Sequence, residues 1–342
     1  MRIIFAGTPE TAVPSLRVLA QGHDVVAVLT RAPAKVGRKA VMQKSAVHTE
    51  AEHLGIPVLT PPTLRDLDVQ HAIAQYEPDA VAVVAYGLLV PPSLLEVPRF
   101  GWLNLHFSLL PRWRGAAPVQ YALRHGDDTT GITVFRIDSG LDTGPIAAQE
   151  EYPIPPRAKA NEVLDELARR GAHLLSDVFT SLESGSVNFT GQRGQVSYAP
   201  QLTSAMAEID WHESATSIAN AVRGYTPEPG AWALLNGTRI KITDAKQIAS
   251  YEAPDIPELA ELIDANGAAP GQIVSTKKHA YVCTSQGILE LITVWPAGKK
   301  PMRGADWARG LRSAEPPHFT PSAHRLHAES ANTQVERNSD ER

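Results

Sequence analysis

Apolar positions in the first half of the chain come in short unbroken runs, separated by stretches with a repeat of three to four residues. Residues 2–6 read as a buried strand, closed by Gly7-Thr8-Pro9, and residues 11–21 as a helix with Val13, Leu16, Leu19 and Ala20 on one face. Gly22 ends that helix and residues 25–29 form the next strand. Further apolar runs lie at 58–59, 80–84, 102–105 and 132–137, with helical stretches near 46–54, 66–75 and 118–125. Strands apolar on both faces and alternating with helices predict an α/β fold: a Rossmann-like, mostly parallel sheet with helices on both faces. A long amphipathic helix at 161–183 completes this half.

The pattern then changes. Residues 185–206 form a linker, whose stretch 185–201 is rich in Gly, Ser, Thr and Gln. A helix at 215–222 gives way to short apolar runs at 231–235, 239–245, 271–275, 280–284 and 288–294, with turn signals at Asn236-Gly237 and Gln286-Gly287. Such closely spaced strands predict a small OB-like β-barrel domain. The polar stretch beyond shows no periodicity. The expected domains are an α/β domain at 1–184, a linker at 185–206, a barrel at 207–313 and a disordered tail at 314–342.

Composition narrows the class. With 342 residues, 43% hydrophobic and 20% charged, the chain has room for two cores and is neither wholly disordered nor fibrous. Its longest apolar run, 80–90, is interrupted at Tyr86-Gly87 and falls short of the ~18 residues a membrane span needs. One cysteine, Cys283, suits a reducing compartment, and a cytoplasmic location is expected. A net charge of −5 argues against coating nucleic acid over the whole surface, yet leaves room for a local basic patch. Between Asp24 and Glu50 the chain carries Arg31, Lys35, Arg38, Lys39 and Lys44 and no acid.

Some chemistries lack their residues. No G-x-G-x-x-G follows the first strand and no G-x-x-x-x-G-K-[ST] occurs, so neither a dinucleotide fingerprint nor a P-loop is present. His318, His324 and His327 lie in the expected tail and read as solvated histidines; no metal site is expected. The informative stretch begins at Asn104-Leu105-His106. Period-2 geometry puts the amide and the imidazole on one face at a strand end, where an α/β sheet places ligands, as a donor pair for an oxyanion. Alone, such a pair is more often a mutually satisfied Asn and His. Asp142, in Gly140-Leu141-Asp142-Thr143-Gly144, sits on a loop directly after a strand; alone it reads as a turn residue. Together the three supply oxyanion donors and a carboxylate able to orient the imidazole and accept a proton.

These residues resemble a known motif set. Asn104-Leu105-His106, Ser108-Leu109-Leu110-Pro111, Arg114-Gly115 and Leu141-Asp142-Thr143-Gly144 are similar to the motifs of the 10-formyltetrahydrofolate-dependent formyltransferases. Within that superfamily, Gly7-Thr8-Pro9, Val84-Ala85-Tyr86-Gly87, the stretch 111–118 and Pro296-Ala297-Gly298-Lys299-Lys300 resemble the methionyl-tRNA formyltransferase branch, over residues 2 to about 313. Phe107 departs from the Gly or Pro usual there, the loop at 31–44 keeps its basic character with a different sequence, and the stretch beyond Ser313 has no counterpart.

The resemblance implies transfer of a formyl group from 10-formyltetrahydrofolate to the α-amino group of methionyl initiator tRNA, for translation initiation, by a monomer. Asn104 and His106 would stabilise the oxyanion and Asp142 would take the proton. Folate would bind at Ser108, Leu109, Leu110 and Pro111 and at Tyr86, Gly87, Leu88 and Leu89. The tRNA would meet Arg31, Lys35, Arg38, Lys39 and Lys44, with Arg38 at the acceptor end, and Lys299, Lys300 and Arg303 in the second domain. Three other readings stay open: a formyltransferase for a small amine or sugar-nucleotide, a 10-formyltetrahydrofolate hydrolase, and a non-catalytic RNA-binding protein.

Overall fold

Nine strands of the first half lie, in chain order, at β1 (Arg2–Gly7), β2 (Asp24–Leu29), β3 (Ala34–Val36), β4 (Val41–Gln43), β5 (Val58–Leu59), β6 (Ala80–Val84), β7 (Trp102–His106), β8 (Thr129–Arg136) and β9 (Ile146–Pro153). They come from a computed structural model that describes residues 1–36, 40–248, 269–311 and 316–322. The described chain divides into two compact units: one takes Met1–Ala122 and Asp127–Gln201, the other Leu123–Gly126 and the chain from Leu202 onward.

The first unit is built on a sheet of order β5-β2-β1-β6-β7-β8-β9. Its first five strands are parallel, and β6 throughout and β1 from Ile3 onward are buried on both faces, because no residue there carries a polar side chain. Each fully buried Ile, Leu or Phe contributes about 1.5–3 kcal/mol of transfer free energy. Strand order reverses between β1 and β6, the place where such sheets open a crevice at their carboxyl edge.

Helices α1 (Val13–Gly22), α2 (Ala46–His53), α3 (Leu67–Gln75), α4 (Pro92–Leu95), α5 (Pro118–Arg124) and α6 (Ala160–Glu183) accompany the sheet. Helix α6 buries Val163, Leu167, Leu175, Val178 and Leu182 along one stripe. Gly171 in that helix comes so close to Leu105 that an added Cβ would stand 2.7 Å from its Cδ2. Leu105 lies between Asn104 and His106, so this contact fixes the strand that carries both.

Beyond β7 the sheet is no longer parallel. β8 runs antiparallel to β7, and β9 antiparallel to β8. The apolar run of β8, buried from Thr130 to Phe135, looks the same in sequence whichever way the strand points. β9 is an edge strand with an exposed acid, Glu151, outside the apolar runs. The basic segment after β2 folds as an antiparallel hairpin of β3 and β4.

The second unit holds α7 (Ala215–Tyr225), β10 (Trp232–Leu235), β11 (Thr238–Ile248), β12 (Ile273–Ser275), β13 (Ala280–Cys283), β14 (Ile288–Pro296), β15 (Met302–Arg303), a helix at Gly304–Arg309 and β16 (Phe319–Thr320). Its sheet has the order β12-β13-β14-β11-β10-β16, with neighbouring strands antiparallel. The path closes on itself: Gln272 bridges His318, Ile273 N donates to Pro317 O at 2.8 Å and Phe319 N donates to Gly271 O at 3.0 Å.

That closure corrects the reading of the tail at its start. Residues 316–322 are ordered backbone partners of the barrel, and Phe319 is buried with its ring stacked on Trp211 at 5.0 Å and on Trp307 at 5.9 Å. Ser322 is tied down by Glu208, which accepts from its N at 2.7 Å and its Oγ at 2.6 Å. A two-residue strand between prolines carries no periodicity, which is why the sequence hides it. Residues 314–315 and 323–342, with His324 and His327, lie outside the described residues. Among the described residues no helix is long and apolar enough to cross a membrane.

Candidate active site

Asn104, His106 and Asp142 line one open cleft of about 760 Å³ in the first unit. Its walls come from the turn after β6 (Ala85, Tyr86, Gly87, Leu88, Leu89, Val90), from β7 and Phe107, and from Phe135, Ile137 and residues 138–142.

Asp142 reaches this cleft by a route the sequence does not suggest. Because β8 is antiparallel to β7, its end at Arg136 lies opposite Leu103, whereas His106 lies opposite Thr133. The following loop therefore turns back along the sheet. Asp138 organises it by accepting from Gly140 N at 3.0 Å and Thr143 Oγ1 at 2.6 Å. Asp142 itself is left-handed, with φ 51°. Gly144 packs so tightly that a Cβ there would run into the Arg136 carbonyl.

The carboxylate of Asp142 accepts from Gly115 N at 2.7 Å and stands 3.9 Å from His106 Nδ1. Gly115 has φ 122°, and a Cβ on it would meet Ala199 O at 2.7 Å, so only glycine delivers that amide without strain. On the other side of the imidazole, Nε2 faces the carbonyl oxygen of Trp113 at 2.9 Å. A carbonyl only accepts, so Nε2 carries the proton, and in the neutral ring Nδ1 presents its lone pair towards Asp142. Burial pushes the His106 pKa below its ordinary value; Asp142 and the Trp113 carbonyl pull the other way without overcoming it.

Trp113 is held in place for this task. It is left-handed at φ 59°, its N donates to Ser197 Oγ at 2.9 Å and its Nε1 donates to Asp127 Oδ2 at 2.8 Å. Arg112 reaches both oxygens of Asp127 at 2.9 Å.

The other residues singled out in the sequence divide. Tyr86, Gly87, Leu88 and Leu89 line the cleft. Burial pushes the Tyr86 phenol up to about 12, and its hydroxyl has no hydrogen-bond partner among the described residues. Ser108, Leu109, Leu110 and Pro111 are not among the lining residues. Ser108 is fully buried and donates to Arg112 O at 2.6 Å, while Leu110 packs with Phe135 and Ile146. They support the loop behind His106. The apolar lining of Phe135 and Ile137 was not singled out in the sequence, where both read as ordinary strand positions.

Of the cations, Arg31 lies beside the cleft turn, donating to Gly87 O at 3.4 Å. Lys35 is exposed on β3. Lys44 is paired with Glu52 at 2.6 and 2.7 Å, an acid supplied by α2 just past the acid-free run. Arg38 and Lys39 lie outside the described residues. In the second unit Lys299, Lys300 and Arg303 are exposed, following β14 and at β15.

One contributor lies in the connecting segment. Gln192 Nε2 donates to Asp142 O at 2.8 Å and to Gly144 O at 2.9 Å, and Gln192 Oε1 accepts from Arg114 Nη2 at 2.6 Å. The segment is pinned on both sides, Thr190 bridging Ile146 and Tyr198 bridging Arg114. Its Gly- and Gln-rich composition gives no sign of this. Among the described residues no three His, Cys, Asp or Glu side chains gather as a metal site.

Comparison with known proteins agrees with this architecture. Residues 1–179 match the Formyl transferase family and residues 201–312 the Formyl transferase, C-terminal domain family. A methionyl-tRNA formyltransferase of Arthrobacter sp. (strain FB24) is 46% identical over 92% of this chain and 98% of its own length. That of Streptomyces coelicolor is 43% identical over 92% and 98%. Among solved structures, an N-formyltransferase from Helicobacter canadensis in complex with folinic acid and dTDP-3-aminofucose superimposes with a TM-score of 0.61, at 19% identity, over 84% of this chain and 98% of that one. A methionyl-tRNA formyltransferase from Clostridium thermocellum gives 0.50 at 16% identity over 72% and 94%. These two show the likeness of fold; the sequence matches show descent, and the chain belongs to the methionyl-tRNA formyltransferase family.

Proposed function

We propose that this chain transfers the formyl group of 10-formyltetrahydrofolate to the α-amino group of methionyl initiator tRNA, as a cytoplasmic monomer. The observation that carries the reading is the meeting of Asn104, His106 and Asp142 on one cleft, with Asp142 3.9 Å from His106. The cleft suits a flat, partly apolar donor: Leu88, Val90, Phe135 and Ile137 form its apolar wall and the three polar side chains its reactive end. The donor supplies the formyl carbon, and this chain's residues position it and move protons.

As the amine bonds to the formyl carbon, negative charge grows on the formyl oxygen. Asn104 donates to that oxygen, and His106 joins it once Nδ1 holds a proton. The incoming amine sheds one proton, which the Asp142–His106 pair accepts. The departing folate nitrogen gains one, which the same pair returns, so the enzyme ends as it began. The Nε2 bond to Trp113 keeps Nδ1 as the working nitrogen throughout. A preorganised donor in such a site is worth about 3–4 kcal/mol of transition-state stabilisation.

The acceptor's charge is addressed by the exposed cations. Arg31 beside the cleft turn and Lys35 on the hairpin would meet acceptor-arm phosphates, with Arg38 and Lys39 beyond them in sequence, and Lys299, Lys300 and Arg303 would meet the backbone elsewhere. Lys44 contributes less, since Glu52 neutralises it.

The test is a transfer assay with charged initiator tRNA and 10-formyltetrahydrofolate, scored for formylmethionine. Formation of formylmethionyl-tRNA supports the reading. Formylation of a small amine or a sugar-nucleotide in its place, indifferent to salt, would reassign the acceptor. Formate release at full rate without any acceptor would make the chain a hydrolase.

A further inference from the structure

Asp142 is a left-handed residue in a loop that turns back along the sheet, so its carboxylate direction needs support from outside the loop. Backbone contacts supply one half of that support: Gly115 N binds the carboxylate itself. The other half comes from a single side chain fifty positions further along. Gln192 donates from one nitrogen to the carbonyls of Asp142 and Gly144, and its oxygen takes the guanidinium of Arg114. Arg114 immediately precedes Gly115. One carboxamide therefore joins the two loops whose separation sets the distance between the Gly115 amide and the Asp142 carboxylate.

We infer that Gln192 is a positioning residue for the transfer step, bracing the Asp142 loop against the Arg114-Gly115 loop so that the Asp142 carboxylate stays within reach of His106 Nδ1. The inference rests on the reading of Asp142 as the proton acceptor. Both amide hydrogens and the amide oxygen are used, which neither a carboxylate nor an alkyl group of similar length reproduces. Supporting side chains of this kind act through geometry, where a misplacement near 1 Å costs on the order of 100-fold in rate. The connecting segment is thereby part of the catalytic apparatus, although Gln192 itself touches no reacting atom.

The experiment compares Gln192→Leu, Gln192→Glu, Asp142→Asn and the double variant Gln192→Leu/Asp142→Asn in the full-length chain. The readouts are kcat, KM for 10-formyltetrahydrofolate, the pH profile of kcat/KM, and Tm. Gln192→Leu is expected to lose roughly 10- to 100-fold in kcat with KM changed less than about 3-fold, and to shift the limb of the pH profile set by the Asp142–His106 pair. Gln192→Glu keeps an acceptor for Arg114 but loses the two donated bonds at neutral pH, and is expected to fall comparably. It decides the matter should the leucine variant not fold. The double variant is expected to be no slower than Asp142→Asn alone, because bracing matters only while the carboxylate is there. Wild-type kcat and pH profile in Gln192→Glu, or losses that add in full in the double variant, overturn the inference while leaving the Asp142 assignment intact. Full turnover by Asp142→Asn overturns that assignment and the inference with it.

Discussion

The Asp142 carboxylate stands 3.9 Å from Nδ1 of His106, beyond direct hydrogen-bond reach but close enough for one intervening atom to touch both. An attacking amine nitrogen or a water fits that interval. The pair is thus arranged to share a proton with a third party.

Asn104→Ala is expected to lower kcat by ~10²–10³-fold through loss of one oxyanion donor. Asp142→Asn is expected to fall at least as far, since the amide cannot hold the proton. Both should still bind tRNA. Filter binding beside single-turnover formylation checks this, and normal turnover in either variant would remove that residue from the mechanism.

Acid should weaken the fold through its buried histidines. Burial lowers the pKa of His106 and of His23, the latter also repelled by the amino terminus. A base with a lowered folded pKa binds fewer protons folded than unfolded. Stability from keeping these rings neutral is therefore complete above the ordinary imidazole value of about 6.5 and is lost as pH falls below it. Tm measured from pH 7.5 to 5.5 should drop more steeply in the wild type than in His106→Gln. Parallel curves would contradict the shift at His106.

The two described lysines of the basic hairpin region, Lys35 and Lys44, should behave differently. Lys35→Ala is expected to reduce the slope of log affinity for tRNA against log salt by about one. Lys44→Ala should change it less, because Glu52 already occupies that charge. Equal slopes in the two variants would show that the Lys44 ion pair opens on binding.

Phe319→Ala should cost about 3–5 kcal/mol in the second unit, the usual penalty for emptying a buried aromatic site. A chain ended at Ser313 should lose at least as much, measured by denaturant unfolding followed through tryptophan fluorescence. Trp211 and Trp307 stack on that ring and report the change directly.

What the sequence displays depends on range. Strands β1, β2, β6 and β7 are visible because residues buried on both faces must be apolar in unbroken runs. Asn104 and His106 stand out because two polar groups interrupt such a run at its carboxyl end. Strand direction leaves no such trace, so the antiparallel turn at β8, and with it the path of the Asp142 loop, is invisible. Gln192 is hidden for a related reason. Its partners lie 48 to 78 positions away, and a polar residue among glycines and glutamines has no local pattern to break. Lys44 misleads because its acid sits eight residues on, just past the window in which the charge run is read.

The barrel is completed by backbone bonds from residues 317–319 to 271–273, which are made well after Gln201, the last residue of the first unit. While the ribosome is still adding those residues, the first unit, Met1–Ala122 with Asp127–Gln201, already possesses its whole sequence. The two halves consequently mature in order, and a nascent chain stalled before Phe319 would emerge with one finished unit followed by an unclosed sheet. Its unsealed strand margins would make it a natural client for chaperones or proteases.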